Sequence, residues 1–383
     1  MFESLLAQGE RAARVEANRA LLRFVNGIEW LVRDPTTIIG RTPFDVVYER
    51  DKLQVRHYHL RGAARRYPVP VLMIPPLMVK PFIFDLYPER SLVAFFVRRG
   101  FAVYLVDFGE PDDADAYVRL DDYVLDWIPT ACDQVRQHAK SEDISLLGYC
   151  MGGLFALSHT AANDDRHVRN LVAIATPVDM HKMGLFAWAT QLAGRQAEAI
   201  ARQIGNVPGG LSSAVFRMLA PMKNVTRYAD LFMNMWDREY MNGFDAMNQW
   251  VGQFIAYPQA AFIQFNREFM QQNKLVKGEL SFGDRRADLK RVRASLLAFA
   301  SKADQIAPFR ATRAVIDAVG TRDKTFRVAP GGHMGIFAGA PAPEHVWGPA
   351  TDWLAPRSRA QRRHASPASR RARAAAGRRA AST

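Results

Sequence analysis

The chain has 383 residues, 49% of them apolar, enough for one large α/β domain with an insertion and a sizeable core. Two cysteines exclude a disulfide framework and fit a reducing cytoplasm; no stretch reaches the ~18 uninterrupted apolar residues of a membrane span, and Glu3, Glu10, Arg11, Arg14 and Glu16 interrupt any secretory signal in Met1–Arg33. The net charge of +13 resembles a nucleic-acid signal, but nine arginines and no acidic residue lie in Arg357–Thr383, leaving about +4 elsewhere, so no dedicated nucleic-acid site is expected.

Residues 1–38 form an N-terminal helical segment: Leu5, Leu6, Ala13, Leu21, Leu22, Val25, Ile28 and Leu31 recur at helical spacing through Ser4–Val32. Such an amphipathic helix packs on its own domain, or else on a partner or granule surface. Phe44–Glu49 and Leu53–Leu60 alternate like two strands joined by Arg50-Asp51-Lys52. From Val69 the rhythm is strand–helix–strand, with strands at Val69–Ile74, Ala102–Asp107, Ile144–Leu147 and Leu171–Ala175. Helices fall between them at Arg90–Arg99, Leu120–Lys140 and Gly152–Ala162. That alternation predicts an α/β fold, a mainly parallel sheet with helices on both faces.

The rhythm breaks between Pro177 and Leu289, far beyond an ordinary connection. Nine methionines (Met180, Met183, Met218, Met222, Met233, Met235, Met241, Met247, Met270) with Trp188, Trp236, Trp250 and many phenylalanines predict a helical cap over the site. Soft side chains suit an acyl chain, although most must form the cap's own core. Strand–helix–strand then resumes with Leu296–Ala300, Pro308–Val319 and Lys324–Ala329. The expected division is a core of residues 39–176 and 290–356, a cap of 177–289, and an Arg/Ala/Ser-rich tail, 357–383, too poor in large apolar residues to fold.

Chemistry concentrates after the strands. Gly148-Tyr149-Cys150-Met151-Gly152-Gly153 joins a strand to a helix, the setting of a nucleophile elbow, with cysteine where serine usually stands. A thiolate forms a thioester, close in energy to that of an acyl-coenzyme A, which suits acyl transfer. Asp304 and His333 follow the strands ending at Ala300 and Ala329, so nucleophile, acid and histidine occur in the order of an α/β-hydrolase fold. The plainer alternatives are a helix N-cap for Asp304 and the close of the Pro330-Gly331-Gly332 turn for His333. Cys132, inside a helix without glycines, reads as buried structure. One oxyanion donor is the Met151 amide. The second comes from Pro75-Pro76-Leu77-Met78-Val79-Lys80, and since the prolines carry no N–H it is Leu77 or Met78.

These residues resemble polyhydroxyalkanoate synthases, in particular the short catalytic subunits that work with a second subunit. The resemblance rests on Pro75–Pro81, Asp85–Val93, Gly100–Gly109, Leu120-Asp121-Asp122-Tyr123 and the Gly-Tyr-Cys-Met-Gly-Gly elbow. It continues through Gln272–Gly278, Arg285–Lys290 and the loops of Asp304 and His333, and covers about Ile39 to Leu354. Gln305 stands where the family often has histidine, and the cap wording is loosened between Met180 and Val251.

The resemblance implies an acyltransferase that polymerises (R)-3-hydroxyacyl-CoA and releases CoA. Cys150 would be the acylated nucleophile, His333 the base and Asp304 its acidic partner. No cofactor is implied, since acyl-CoA is the substrate. The implied partners are the nascent polyester, a second synthase subunit, a second copy of the chain and the polymer granule surface, in the cytoplasm. Two other readings stand beside it: a thioesterase, esterase or depolymerase admitting water to the same triad, and a non-catalytic granule-associated subunit whose basic tail and N-terminal helix mediate contacts.

Overall fold

The computed structural model describes residues 2–32, 34, 39–218 and 221–359, with the side chains of 2–6, 185–186 and 221–227 excepted. Its centre is an eight-stranded sheet. The strands are β1 (Phe44–Arg50), β2 (Leu53–Tyr58), β3 (Val71–Ile74), β4 (Val103–Asp107), β5 (Ile144–Tyr149) and β6 (Val168–Ile174). A two-residue hairpin, β7 (Ser281–Phe282) and β8 (Arg285–Arg286), lies outside the sheet, which β9 (Ser295–Ala300) and β10 (Lys324–Val328) complete. The order is β1-β2-β4-β3-β5-β6-β9-β10. β1 and β2 are antiparallel to their neighbours, and every pair from β4 to β10 is parallel.

Period-two alternation divides each central strand between two cores. Leu72, Ile74, Leu146, Leu296 and Ala298 face one layer, with the helical run from Leu120 to Ala139 and the helix Met151–Ala162. Val71, Met73, Leu147, Tyr149, Leu297 and Phe299 face the other, with the helices Leu92–Arg98, His333–Ala338 and Gly348–Arg357. Burial on both faces explains why β3, β5 and β9 read as continuous apolar runs rather than alternating ones. Pro129 lies in the first turn of the helix Ile128–Ala139, directly after the wider π-type turn Tyr123–Trp127.

Register places the site. Ile74 pairs with Gly148, Gly148 with Ala173, Ile174 with Phe299, and Val328 with Ala300, so the loops after β3, β5, β6, β9 and β10 leave one edge of the sheet together. The chain runs from β3 outward to β4, then back past β3 to β5. Such a reversal opens a crevice at the carboxyl ends of the strands, here between the loops after β3 and β5.

The insertion after β6 opens as a run of helices and returns into the main core. Helices Leu185–Ile204, Gly209–Met218, Pro221–Asn234 and Arg238–Gly252 form a lid. The return, from Tyr257 to Val292, contributes buried side chains to the main core, and its Gln264 side chain accepts the Leu120 amide at 3.0 Å. Met180, Met183 and Met270 are core residues; Met247 is half-buried in the cluster that includes Cys150, and Met218 and Met233 are exposed. The Met222 side chain lies outside the described residues.

The N-terminal helix, Phe2–Val32, docks on the lid. Asn26 donates to the Met235 carbonyl at 2.8 Å, the Trp30 indole to Asp245 at 2.8 Å, and the Arg19 guanidinium sits 4.5 Å from the Trp236 ring centroid. Leu21, Phe24, Leu31 and Val32 stay exposed. Arg357, grouped with the tail on composition, instead closes the last helix: it pairs with Asp323 at 2.9 Å and covers the Trp353 ring at 4.1 Å. Residues 360–383 lie outside the described residues. Among the described residues no helix is long and apolar enough to cross a membrane.

Candidate active site

Cys150 sits between the end of β5 and the helix Met151–Ala162, with φ +52° and ψ −118°. A side chain at positive φ costs about 1–3 kcal/mol and persists only where its surroundings dictate it. The glycines around it dictate it by proximity. A Cβ on Gly152 would lie 2.0 Å from the Ile74 carbonyl oxygen, one on Gly153 1.9 Å from Thr176 Oγ1, and one on Gly148 2.4 Å from the Gly152 carbonyl oxygen. The elbow can therefore press against the ends of β3 and β6. The Cys150 amide donates to the Ile174 carbonyl at 2.9 Å, and the side chain is left half-exposed at the first turn of the helix.

His333 and Asp304 reach the same edge from β10 and β9. His333 Nδ1 and Asp304 Oδ2 are 2.8 Å apart, both side chains almost entirely buried. The other carboxylate oxygen, Oδ1, accepts the amides of Ile306 at 2.9 Å and Ala307 at 2.8 Å. Asp304 thus stabilises its own turn with one oxygen and the imidazole with the other, while the helix that follows, Phe309–Arg313, is preceded by Pro308. Burial opposes the imidazolium, but the Asp304 carboxylate and the Cys150 sulfur outweigh it and raise His333 from 6.5 to about 10.

The loop after β3 borders the elbow through Ile74 and Pro75. The Leu77 carbonyl accepts the Val79 amide, and the Met78 carbonyl accepts the Ile255 amide at 3.0 Å, which ties this loop to the insertion. Met151, the first residue of its helix, carries an amide with no carbonyl one turn before it, and its sulfur accepts the Tyr257 hydroxyl at 3.7 Å.

Phe216 of the lid faces the histidine and is backed by Phe254 and Trp250. The Phe216 ring lies 6.3 Å from the imidazole, edge-on, and 5.3 Å from Phe254, which is 5.2 Å from Trp250. The Trp250 indole donates to the Lys80 carbonyl at 3.0 Å, holding this cluster to the core. Sequence reasoning named no role for Phe216 or Phe254, because nothing along the chain distinguishes a lid aromatic that faces the site from one that fills the lid.

Cys132 is fully buried, its sulfur 3.8 Å from His159 Nε2, and burial pushes its thiol far up. Such a thiol is inert. Among the described residues no cluster of histidine, cysteine and carboxylates has the arrangement of a metal site.

A family model described as the alpha/beta hydrolase fold matches residues 81–340, and one described as the poly-beta-hydroxybutyrate polymerase (PhaC) N-terminus matches residues 36–96. The chain is 33% identical over 323 residues to the poly(3-hydroxyalkanoate) polymerase subunit PhaC of Haloferax mediterranei, an alignment covering 84% of this chain and 65% of that protein. It is 31% identical over 332 residues to the subunit of the same name from Allochromatium vinosum, covering 86% of this chain and 92% of that one. The chain therefore spans just under two thirds of the haloarchaeal relative and nearly all of the bacterial one. Among solved structures, a putative lipase from Sulfolobus solfataricus superposes with a TM-score of 0.52 at 15% identity, covering 83% of this chain and 98% of that chain. At that identity the likeness concerns the fold alone.

Proposed function

The chain belongs to the poly(3-hydroxyalkanoate) polymerase family on an α/β-hydrolase fold, and from that premise we propose that Cys150, His333 and Asp304 carry the growing acyl chain in a covalent transfer cycle. The activity is acyl transfer: hydroxyacyl units pass from coenzyme A to a polyester, and CoA is released. The observation that carries the residue assignment is the 2.8 Å contact of buried His333 with buried Asp304, beside a cysteine at an elbow with positive φ.

The proton of the Cys150 thiol rests on His333, and the sulfur attacks the thioester carbonyl of (R)-3-hydroxyacyl-CoA. The Met151 amide and that of Leu77 or Met78 receive the developing oxyanion; losing one such donor typically costs about 3 kcal/mol. As the bond to CoA breaks, His333 protonates the departing thiolate. The now neutral imidazole accepts the proton of a 3-hydroxyl, whose oxygen attacks the Cys150 thioester. The new ester forms, the bond to Cys150 breaks, and the sulfur is regenerated. Asp304 holds the ring orientation and stabilises its charged form. Water would divert the acyl-enzyme to free acid, and the Phe216, Trp250 and Phe254 cluster supports its exclusion. No cofactor enters the cycle, because the thiol, the imidazole and the amides account for each proton and charge shift.

The partners that fit this reading are the acyl-CoA, the nascent chain, a second synthase subunit and a second copy of this chain, acting in the cytoplasm at a polymer granule. Purified chain given (R)-3-hydroxybutyryl-CoA, alone and with a second subunit, tests it. CoA release with insoluble polyester is expected. CoA release with only free acid would make the protein a hydrolase, and no turnover in either mixture would make it a non-catalytic subunit. Cys150→Ala should abolish turnover with the fold intact, and Cys150→Ser should slow transfer more than acylation.

A further inference from the structure

Tyr149 lies at the end of β5, immediately before Cys150, and strand alternation turns its side chain onto the face that carries the helix His333–Ala338. The side chain is buried, and its hydroxyl donates to the backbone carbonyl of His333 at 3.1 Å. The ring stacks on Phe337 with centroids 4.1 Å apart and planes at 16°, and lies 5.1 Å from the imidazole of His333 at 31°. Phe337 is itself held: its ring meets Phe84 edge-on at 4.8 Å, and its carbonyl accepts the Trp347 indole at 2.8 Å. One residue therefore joins the strand that ends at the nucleophile to the helix that begins at the base.

We infer that Tyr149 is a positioning residue: its hydroxyl and ring set the distance and the tilt between the Cys150 sulfur and the His333 imidazole. The inference rests on the assignment of Cys150 and His333 as nucleophile and base. Its physical basis is that the two groups ride on different elements, β5 and the turn after β10, whose relative shift is limited by contacts between those elements. Tyr149 makes a directional hydrogen bond as well as a stack, so it restrains rotation of the histidine turn where an apolar side chain would only fill space. Burial keeps the phenol protonated far above its usual range, so the hydroxyl remains a donor at every working pH.

The test separates the hydroxyl from the ring and does not depend on polymer formation. Alkylation of Cys150 by iodoacetamide is followed against pH in the full chain, with buried Cys132 silent, for wild type, Tyr149→Phe, Tyr149→Leu and His333→Gln. The Phe variant keeps the stack and the fold, checked by circular dichroism and Tm. Its alkylation profile is expected to move from that of wild type toward that of His333→Gln, Tyr149→Leu moving further. With hydroxyacyl-CoA, kcat of the Phe variant should fall about tenfold at unchanged KM, the scale of a sub-ångström misplacement. A merely structural tyrosine would lower Tm and leave the profile in place. A Phe variant with the wild-type profile and kcat would overturn the inference alone. A wild-type profile identical to that of His333→Gln would instead overturn the pairing of Cys150 with His333.

Discussion

At the scale of single residues, the site depends on atoms that have no room to move. Gly152 faces a main-chain carbonyl, which cannot rotate away as a side chain can, so Gly152→Ala must shift the elbow bodily. A loss of about 3 kcal/mol is expected, read as a lower Tm, together with loss of acyl transfer. Asp304 is the residue whose charge matters most. Because His333 is raised from 6.5 to about 10, its contribution to stability is fully present below pH 6.5 and is lost as pH rises through about 10. Stability of the wild type should therefore decline between those limits. Asp304→Asn keeps the shape but removes the carboxylate, leaving burial to disfavour the imidazolium. That decline should flatten, and kcat should fall on the order of 10³-fold. A denaturant series across this pH range, with both proteins, checks the first outcome; an unchanged slope in Asp304→Asn would contradict it.

At the scale of elements, the insertion after β6 has two characters. Its return segment belongs to the main core and holds the helix Leu185–Ile204, whose Glu198 accepts from Asn266 at 3.1 Å and Gln271 at 2.9 Å, whereas the lid faces the histidine through Phe216. The N-terminal helix is fastened to the lid rather than to the sheet, chiefly through Asn26 and Trp30. Trp30→Ala should consequently speed amide exchange in Phe2–Val32 and around Met233–Asp245 while β3, β5 and β9 keep their protection, since no strand loses a contact. Exchange measured by mass spectrometry would show the separation. A loss of protection in the central strands would mean that helix and sheet form one cooperative unit.

At the scale of the whole molecule, the sheet brings together loops far apart in the sequence. The last helix belongs to this frame: Leu354 is fully buried in the second core layer, and the Ser358 carbonyl accepts the Val69 amide at 3.5 Å. Leu354→Ala should therefore cost about 3 kcal/mol, read as a lower Tm in thermal melts of the variant against the wild type. Of the arginines from Arg357 onward, Arg357 itself is engaged with the core, through Asp323 and the face of Trp353, and residues 360–383 lie outside the described residues.

Local chemistry is what the chain states by itself. Apolar runs of four to six residues between amphipathic stretches announce parallel strands, because a strand covered on both faces tolerates no polar side. Two glycines after a cysteine announce a turn tight enough for an elbow, and the order of cysteine, aspartate and histidine follows from where each strand stops. Distances do not follow. Only the register of β5, β6, β9 and β10 decides that loops ending at residues 150, 304 and 333 share one edge, because strand pairing is a contact between residues remote in sequence. The same holds for Tyr149, whose role appears only once the helix at His333 lies against it, and for Phe216, whose lid helix carries no periodicity that points to a histidine more than a hundred residues away. Composition likewise set Arg357 with the tail, and a single carboxylate at Asp323 with the face of Trp353 drew it into the helix. Propensity acts within a turn or a strand, whereas a catalytic distance is a property of the packed interior.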